Sequence, residues 1–309
     1  MEYRQLGKTG LAVSVIGFGA SPFGSVFREV TLEGCVRAAH AAIDHGINYF
    51  DVSPYYGLTL AEERLGAALA GKREQVYLAT KCGRYGYREF DFSEKRVLTS
   101  IDESLSRLRT DYVDLLQVHD IDFTDVATVV KETIPALRKV RESGKCRFIG
   151  ITGYLLDHLL AVASQQPVDT VLSYCRYNLL ITDMDRELTP FCKARGLGLI
   201  NASPLHMALL TEHDLPAWHP APPEVREAGR QVVAVCKEAG VNSAVAALRF
   251  CLDHPYASTT LVGMATEQEV EENVKALKFR PDPALMKRIE EIVQPVKDTV
   301  WPEGIESLA

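Results

Sequence analysis

Four side chains carry chemistry that nothing else in the chain matches. Asp51 ends the apolar run that starts at Ile47, and Tyr56 follows it beyond a Ser53-Pro54 break that forces a loop. Lys81 ends the run from Val76, and His119 ends the run from Val113. A carboxylate, a phenol, an ammonium and an imidazole together can move a proton to or from an oxygen while a hydride moves on carbon. A free phenol holds its proton up to about pH 10. A nearby Lys⁺ favours the phenolate, so Lys81 is expected to let Tyr56 exchange a proton near pH 7. Asp51 would keep Lys81 charged and oriented, and His119 would hydrogen-bond the substrate oxygen. Taken singly, each has a plain structural reading: a helix cap, a half-buried ring, a strand end, one of eight histidines. Three separate strands ending in ionisable residues make the joint reading stronger.

Such residues meet only if their strands end on one face, as in an α/β barrel. Residues 1–14 read as a hairpin turning at Gly7–Gly10. Apolar runs suited to buried parallel strands then recur at Val15–Phe18, Asn48–Phe50, Val76–Thr80, Val113–Val118, Phe148–Ile151, Thr170–Ser173, Leu197–Ile200 and Thr259–Val262. Helical periodicity fills the intervals, for example Glu33–His45, Glu94–Leu108, Val126–Ser143 and Glu224–Ala239, often stopped by glycine. This alternation predicts a (β/α)8 TIM barrel spanning residues 1–309 as one domain; strand counting alone also suits an open doubly wound sheet. Leu215–Pro223 reads as a long loop on the active face. The Pro-broken tail from about Val293 reads as non-helical chain folding back over the barrel mouth.

A net charge of −7 and the lack of a basic tract argue against nucleic acid or an anionic membrane as partner. Seven scattered cysteines without a CxxC pair read as reduced thiols of a cytoplasmic protein. No run approaches the roughly 18 apolar residues of a membrane helix. No His/Cys spacing calls for a metal. Gly17 and Gly19 open a dinucleotide fingerprint, but Pro22 stands where its third glycine belongs, so the pair reads as a tight turn. Gly66–Arg73 lacks the final Ser or Thr of a phosphate loop and begins inside a helical pattern.

Phe50–Gly57, Ala79–Lys81, Leu116–His119, Phe148–Thr152, Ala202–Leu205 and Gly263-Met264 with Glu272-Asn273 resemble the aldo-keto reductases, in family order and over essentially the whole chain. The resemblance implies a nicotinamide cofactor and a catalytic tetrad of Asp51, Tyr56, Lys81 and His119. It places the cofactor on Thr152, Tyr174, Ser203, Pro204, Leu205, Gly263, Met264, Glu269, Glu272 and Asn273. More specific segments, among them Gly17–Phe27, Thr80–Tyr85, Leu172–Cys175 and Val300–Ile305, imply oxidation of the anomeric C1–OH of L-galactose to the lactone, a step toward ascorbate. Another aldose 1-dehydrogenase of the L-fucose or D-arabinose type, an NADPH-dependent carbonyl reductase and a cofactor-binding regulatory subunit are the rival readings. Thr152-Gly153, Tyr174 and Ala202 depart from the family's usual nicotinamide contacts. Gly263 and Glu269 stand where members that use NADP place two cations, so NAD is the expected cofactor. Loop position adds Tyr55, Tyr85 and Trp301 to His119 as the expected sugar pocket. A small sugar is the expected partner of a monomer or weak homodimer.

Overall fold

The computed structural model describes residues 1–26, 28–215 and 219–301. Phe27, residues 216–218 of the long loop, and the end of the tail from Pro302 lie outside these. Strands β1 (Tyr3–Gln5) and β2 (Ala12–Ser14) pair antiparallel as the expected hairpin. β3 (Ile16–Gly19), β4 (Tyr49–Asp51), β5 (Tyr77–Cys82), β6 (Val113–Val118), β7 (Cys146–Gly153), β8 (Thr170–Tyr174), β9 (Gly198–Ala202) and β10 (Thr259–Gly263) follow. Among the described residues these eight form one closed parallel barrel, with β10 pairing both β9 and β3. The open doubly wound sheet is thereby excluded.

Period-two alternation builds the two sides of the wall. Tyr49, Ala79, Leu115, Leu172, Ile200 and Leu261 fill the barrel interior, with Leu6, Leu11 and Val13 of the hairpin packed beneath. Their chain neighbours Phe50, Leu78, Leu116, Val171, Leu199 and Val262 face the helical layer. That layer comprises α1 (Leu32–Asp44), α2 (Leu60–Ala68), α3 (Glu94–Leu108), α4 (Val126–Thr128) and α5 (Ile134–Glu142), which a π turn at Val129–Thr133 joins. It continues with α6 (Leu156–Gln165), α7 (Leu188–Arg195), α8 (Pro223–Glu238), α9 (Ser243–Leu252), α10 (Glu267–Lys275) and α11 (Pro283–Val293).

Three features position the mouth. Gly17 and Gly19 lie within β3, not in the expected turn. A Cβ on Gly17 would lie 2.7 Å from Leu261 Cδ2 inside the barrel. Second, the loops after β3 and β4 touch backbone to backbone. Gly57 has φ +62, and a Cβ on it would lie 2.2 Å from Gly24 O, so this contact admits only glycine and seats the loop that carries Tyr56. Third, the tail leaves α11 through a short 3₁₀ turn (Gln294–Val296) and crosses the loop after β8. Asp298 accepts from Thr182 N at 2.7 Å, and Trp301 N donates to Tyr154 Oη at 3.1 Å.

Candidate active site

β4, β5 and β6 are neighbours in the wall, and their C-terminal ends bring Asp51, Lys81 and His119 together. Lys81 Nζ donates to the Asp51 carboxylate, to Val52 O at 3.0 Å and to Tyr56 Oη at 3.2 Å. All three ammonium protons are therefore directed. The second Asp51 oxygen accepts from Gln117 Nε2 at 2.8 Å. The His119 ring stands at 87° to the Tyr56 ring, 5.5 Å between centroids. Its Nδ1 lies 2.9 Å from Ser53 Oγ, which already accepts from Tyr55 N. With the Ser53 hydroxyl donating to Nδ1, the neutral imidazole carries its proton on Nε2 as a donor.

Burial sets the proton affinities. It pushes the Tyr56 phenol above its usual value, and the opposing pull of Lys81⁺ does not cancel it. The expected exchange near pH 7 is corrected accordingly: the sequence shows the lysine but not the desolvation. Lys81 is held above its usual value by Asp51 and Tyr56, although burial alone would lower it. Burial, with Lys81⁺ and Arg84⁺ nearby, drives His119 well below its usual value, so it is neutral at pH 7.

Beside His119 the pocket wall is aromatic and charged. The Arg84 guanidinium lies 3.8 Å over the Tyr55 ring and 4.7 Å from that of Phe123. The Tyr55 ring is 5.8 Å from His119. Tyr85, expected in the pocket, is not in it. Gly83 turns the chain with φ +99, the Tyr85 hydroxyl accepts from Gly83 N at 3.0 Å, and its ring lies 4.0 Å beneath Arg96 of α3. Its neighbour Arg84 instead stacks on Tyr55 beside His119. Trp301 is buried against His206 at 4.8 Å and reaches the strand ends through Tyr154, whose ring is 5.7 Å from that of Tyr174.

Across the mouth, the inward positions at the ends of β3, β9 and β10 are Gly19, Ala202 and Gly263. Small residues at all three positions keep this rim free of bulky side chains. After β9, Ser203, His206, Met207 and Ala208 all have positive φ, a backbone shape that gathers N–H groups for an anion. These features fit a nicotinamide dinucleotide. Thr152 Oγ1 accepts from Asp120 N at 3.0 Å. Pro204 and Leu205 continue the turn after β9. The Met264 side chain is buried in the outer core, so only its backbone is offered to a ligand. Asn273 is buried on α10, and Glu272 pairs with Lys275. Glu269 closes a capping box with Thr266: its Oε2 accepts from Ala265 N at 2.7 Å, and its Oε1 pairs with Arg28 at 2.7 Å.

Gln117 and Ser53 went unnoticed in the sequence, although each lies two residues from a tetrad member and so on the same face. Arg28 carried no such signal, because its partner is distant in the chain.

The closed barrel and the buried Asp-Lys-Tyr-His cluster define an oxidoreductase of a known class. The Aldo/keto reductase family matches residues 15–294, and the chain belongs to it. Members of this family use nicotinamide cofactors. The chain is 48% identical to L-galactose dehydrogenase of Arabidopsis thaliana, covering 99% of this chain and 98% of that one. It is 30% identical to D-threo-aldose 1-dehydrogenase of Pseudomonas sp over 86% of this chain and 90% of that one. The holo form of an aldo-keto reductase from Bacillus halodurans superposes with a TM-score of 0.80 at 26% identity, covering 98% and 99% of the two chains.

Proposed function

We propose that the protein oxidises L-galactose at C1 to the lactone, with NAD as hydride acceptor. The observation that carries this reading is the 48% identity to an L-galactose dehydrogenase over nearly the full length of both chains. The assembled tetrad supports catalysis over a purely regulatory role. The sugar O1 is held between Tyr56 Oη and His119 Nε2. The bound nicotinamide supplies a two-electron acceptor for the hydride that leaves C1. Tyr56, as phenolate, takes the O1 proton, and Lys81 stabilises that phenolate through its 3.2 Å contact. Ser53 keeps His119 a donor at Nε2, so the imidazole orients O1 and does not compete for its proton. The long loop after β9 and the short turn between β10 and α10 carry the dinucleotide. Cysteines that are all buried thiols fit a cytoplasmic site of action, and among the described residues no helix is long and apolar enough to cross a membrane.

The test is reduction of NAD, followed at the NADH band, with L-galactose, L-fucose, D-arabinose and D-galactose, then again with NADP. Highest turnover with L-galactose and NAD is the expected result. Activity only with NADP would remove the cofactor assignment, and no activity with any aldose would remove the reading itself.

Two further expectations arise at this site. Oxidation needs the phenolate, and burial raises the proton affinity of Tyr56. The turnover rate should therefore climb through pH 7 to about 10. A level profile there would mean that another group takes the proton. His119 is lowered, so it should add no acid limb near pH 6.

The second concerns cofactor choice. Arg28 is a cation near the expected 2′ position, but Glu269 neutralises it. Glu269→Gln keeps an oxygen for the capping box while removing the negative charge and releasing Arg28. The ratio of kcat/KM for NADP to that for NAD should rise about tenfold, the effect of roughly 1.4 kcal/mol. An unchanged ratio places Glu269 outside the 2′ site.

A further inference from the structure

The pocket wall beside His119 carries an ion pair that the proton chemistry leaves unused. Asp120 directly follows His119 and is buried, in left-handed backbone with φ +48. A non-glycine residue adopts that conformation at some cost, which persists only where the surroundings impose it. They do so here: Asp120 N donates to Thr152 Oγ1 at 3.0 Å, and Arg84 Nη1 donates to Asp120 Oδ2 at 2.5 Å. The guanidinium is itself clamped over Tyr55, with Phe123 and Phe90 beside it, and its Nε is buried without an acceptor among the described residues. Asp120 Oδ2 lies 3.6 Å from His119 Nε2. That is too long for a hydrogen bond, so the Nε2 proton stays available to the substrate.

We propose that Arg84 and Asp120 form a subsite for the C2 hydroxyl of the aldose, which makes the enzyme selective for 2-hydroxy sugars. The proposal rests on the reading of the protein as an aldose C1 dehydrogenase. With O1 held by Tyr56 and His119, O2 is attached one carbon away, roughly 3 Å from O1. A carboxylate oxygen 3.6 Å from His119 Nε2 is therefore placed to meet O2 as O1 meets the imidazole. Asp120 accepts the O2 proton in a charge-assisted hydrogen bond. Arg84 holds the carboxylate in orientation and opposes, without cancelling, the burial that raises its proton affinity. A buried ion pair adds little to stability by itself, whereas one held rigid beside a reacting centre can read a polar substrate. A site built to pair a hydroxyl also rejects the analogue that lacks it, because its own polar groups are then left unpaired.

The experiment compares L-galactose with 2-deoxy-L-galactose on the wild type, Asp120→Gly and Asp120→Asn. Glycine suits the left-handed backbone and removes the carboxylate; asparagine keeps the shape and guards against misfolding. The wild type should favour L-galactose over the 2-deoxy sugar by roughly 10- to 100-fold in kcat/KM. Asp120→Gly should lose about that factor with L-galactose and change less than about threefold with the 2-deoxy sugar. Asp120→Asn should show the same sugar dependence in smaller measure. Equal losses with both sugars would mean that Asp120 merely steadies His119, and a wild type indifferent to the C2 hydroxyl would equally overturn the subsite. A wild type inactive with every aldose would remove the parent reading and the subsite with it.

Discussion

Replacing Tyr56 with phenylalanine should lower turnover about 10³-fold while leaving cofactor affinity unchanged. The substitution removes one oxygen and keeps the ring that stands against His119. Among the described residues, the other partners of Lys81 are the Val52 carbonyl and the Asp51 carboxylate, which already accepts from Lys81 and Gln117. Loss of a positioned acid–base typically costs 10²–10⁴-fold. Lys81 gives up one of three hydrogen bonds, so stability should fall by only about 1 kcal/mol. Single-turnover NADH absorbance reports the chemical step, and quenching of tryptophan fluorescence reports cofactor binding. Turnover within tenfold of wild type would show that the phenol is not the proton acceptor.

Lys81→Met should both silence the enzyme and destabilise it by about 3–5 kcal/mol. Methionine fills similar space but leaves Asp51 at 3% exposure as a carboxylate without its cation, held among the described residues by Gln117. The double variant Asp51→Asn/Lys81→Met tests that cause. Asparagine is neutral and still accepts from Gln117, so most of the lost stability should return while turnover does not. Urea unfolding of the three proteins reads the stability, and the NADH assay reads the turnover. A double variant no more stable than Lys81→Met would mean that the lost packing of the lysine stem, not the stranded charge, causes the damage. Recovered activity in the double variant would mean that the ammonium plays no part in the proton transfer.

The elements that hold these residues were legible because strand and loop chemistry are local. Runs such as Val113–Val118 are buried along their whole length, and that continuity marks a parallel strand packed on both faces. Asp51, Lys81 and His119 stood out because charge at the end of such a run has to face something. What stayed hidden depended on distance or on desolvation. Whether Arg84 or Tyr85 faces the pocket is decided by the turn at Gly83, where the strand alternation lapses. The Arg28–Glu269 pair joins residues from opposite ends of the chain. The direction of the Tyr56 shift depends on how completely its hydroxyl is buried, which a sequence does not record. Gln117 and Ser53 were within reach, since alternation alone puts them on the inner face beside the tetrad.

The contact between Gly24 and Gly57 bears on how this scaffold can diversify. Two backbones that touch act as a fixed joint, so a residue inserted into either loop would displace the other loop and Tyr56 with it. New substrate preferences must therefore arise where chain length is free to vary: the loop after β5 that bears Arg84, the long segment between β9 and α8, and the tail that bears Trp301. Lineages built on this barrel should keep the spacing from β3 to Tyr56 constant while those other segments grow, shrink and exchange.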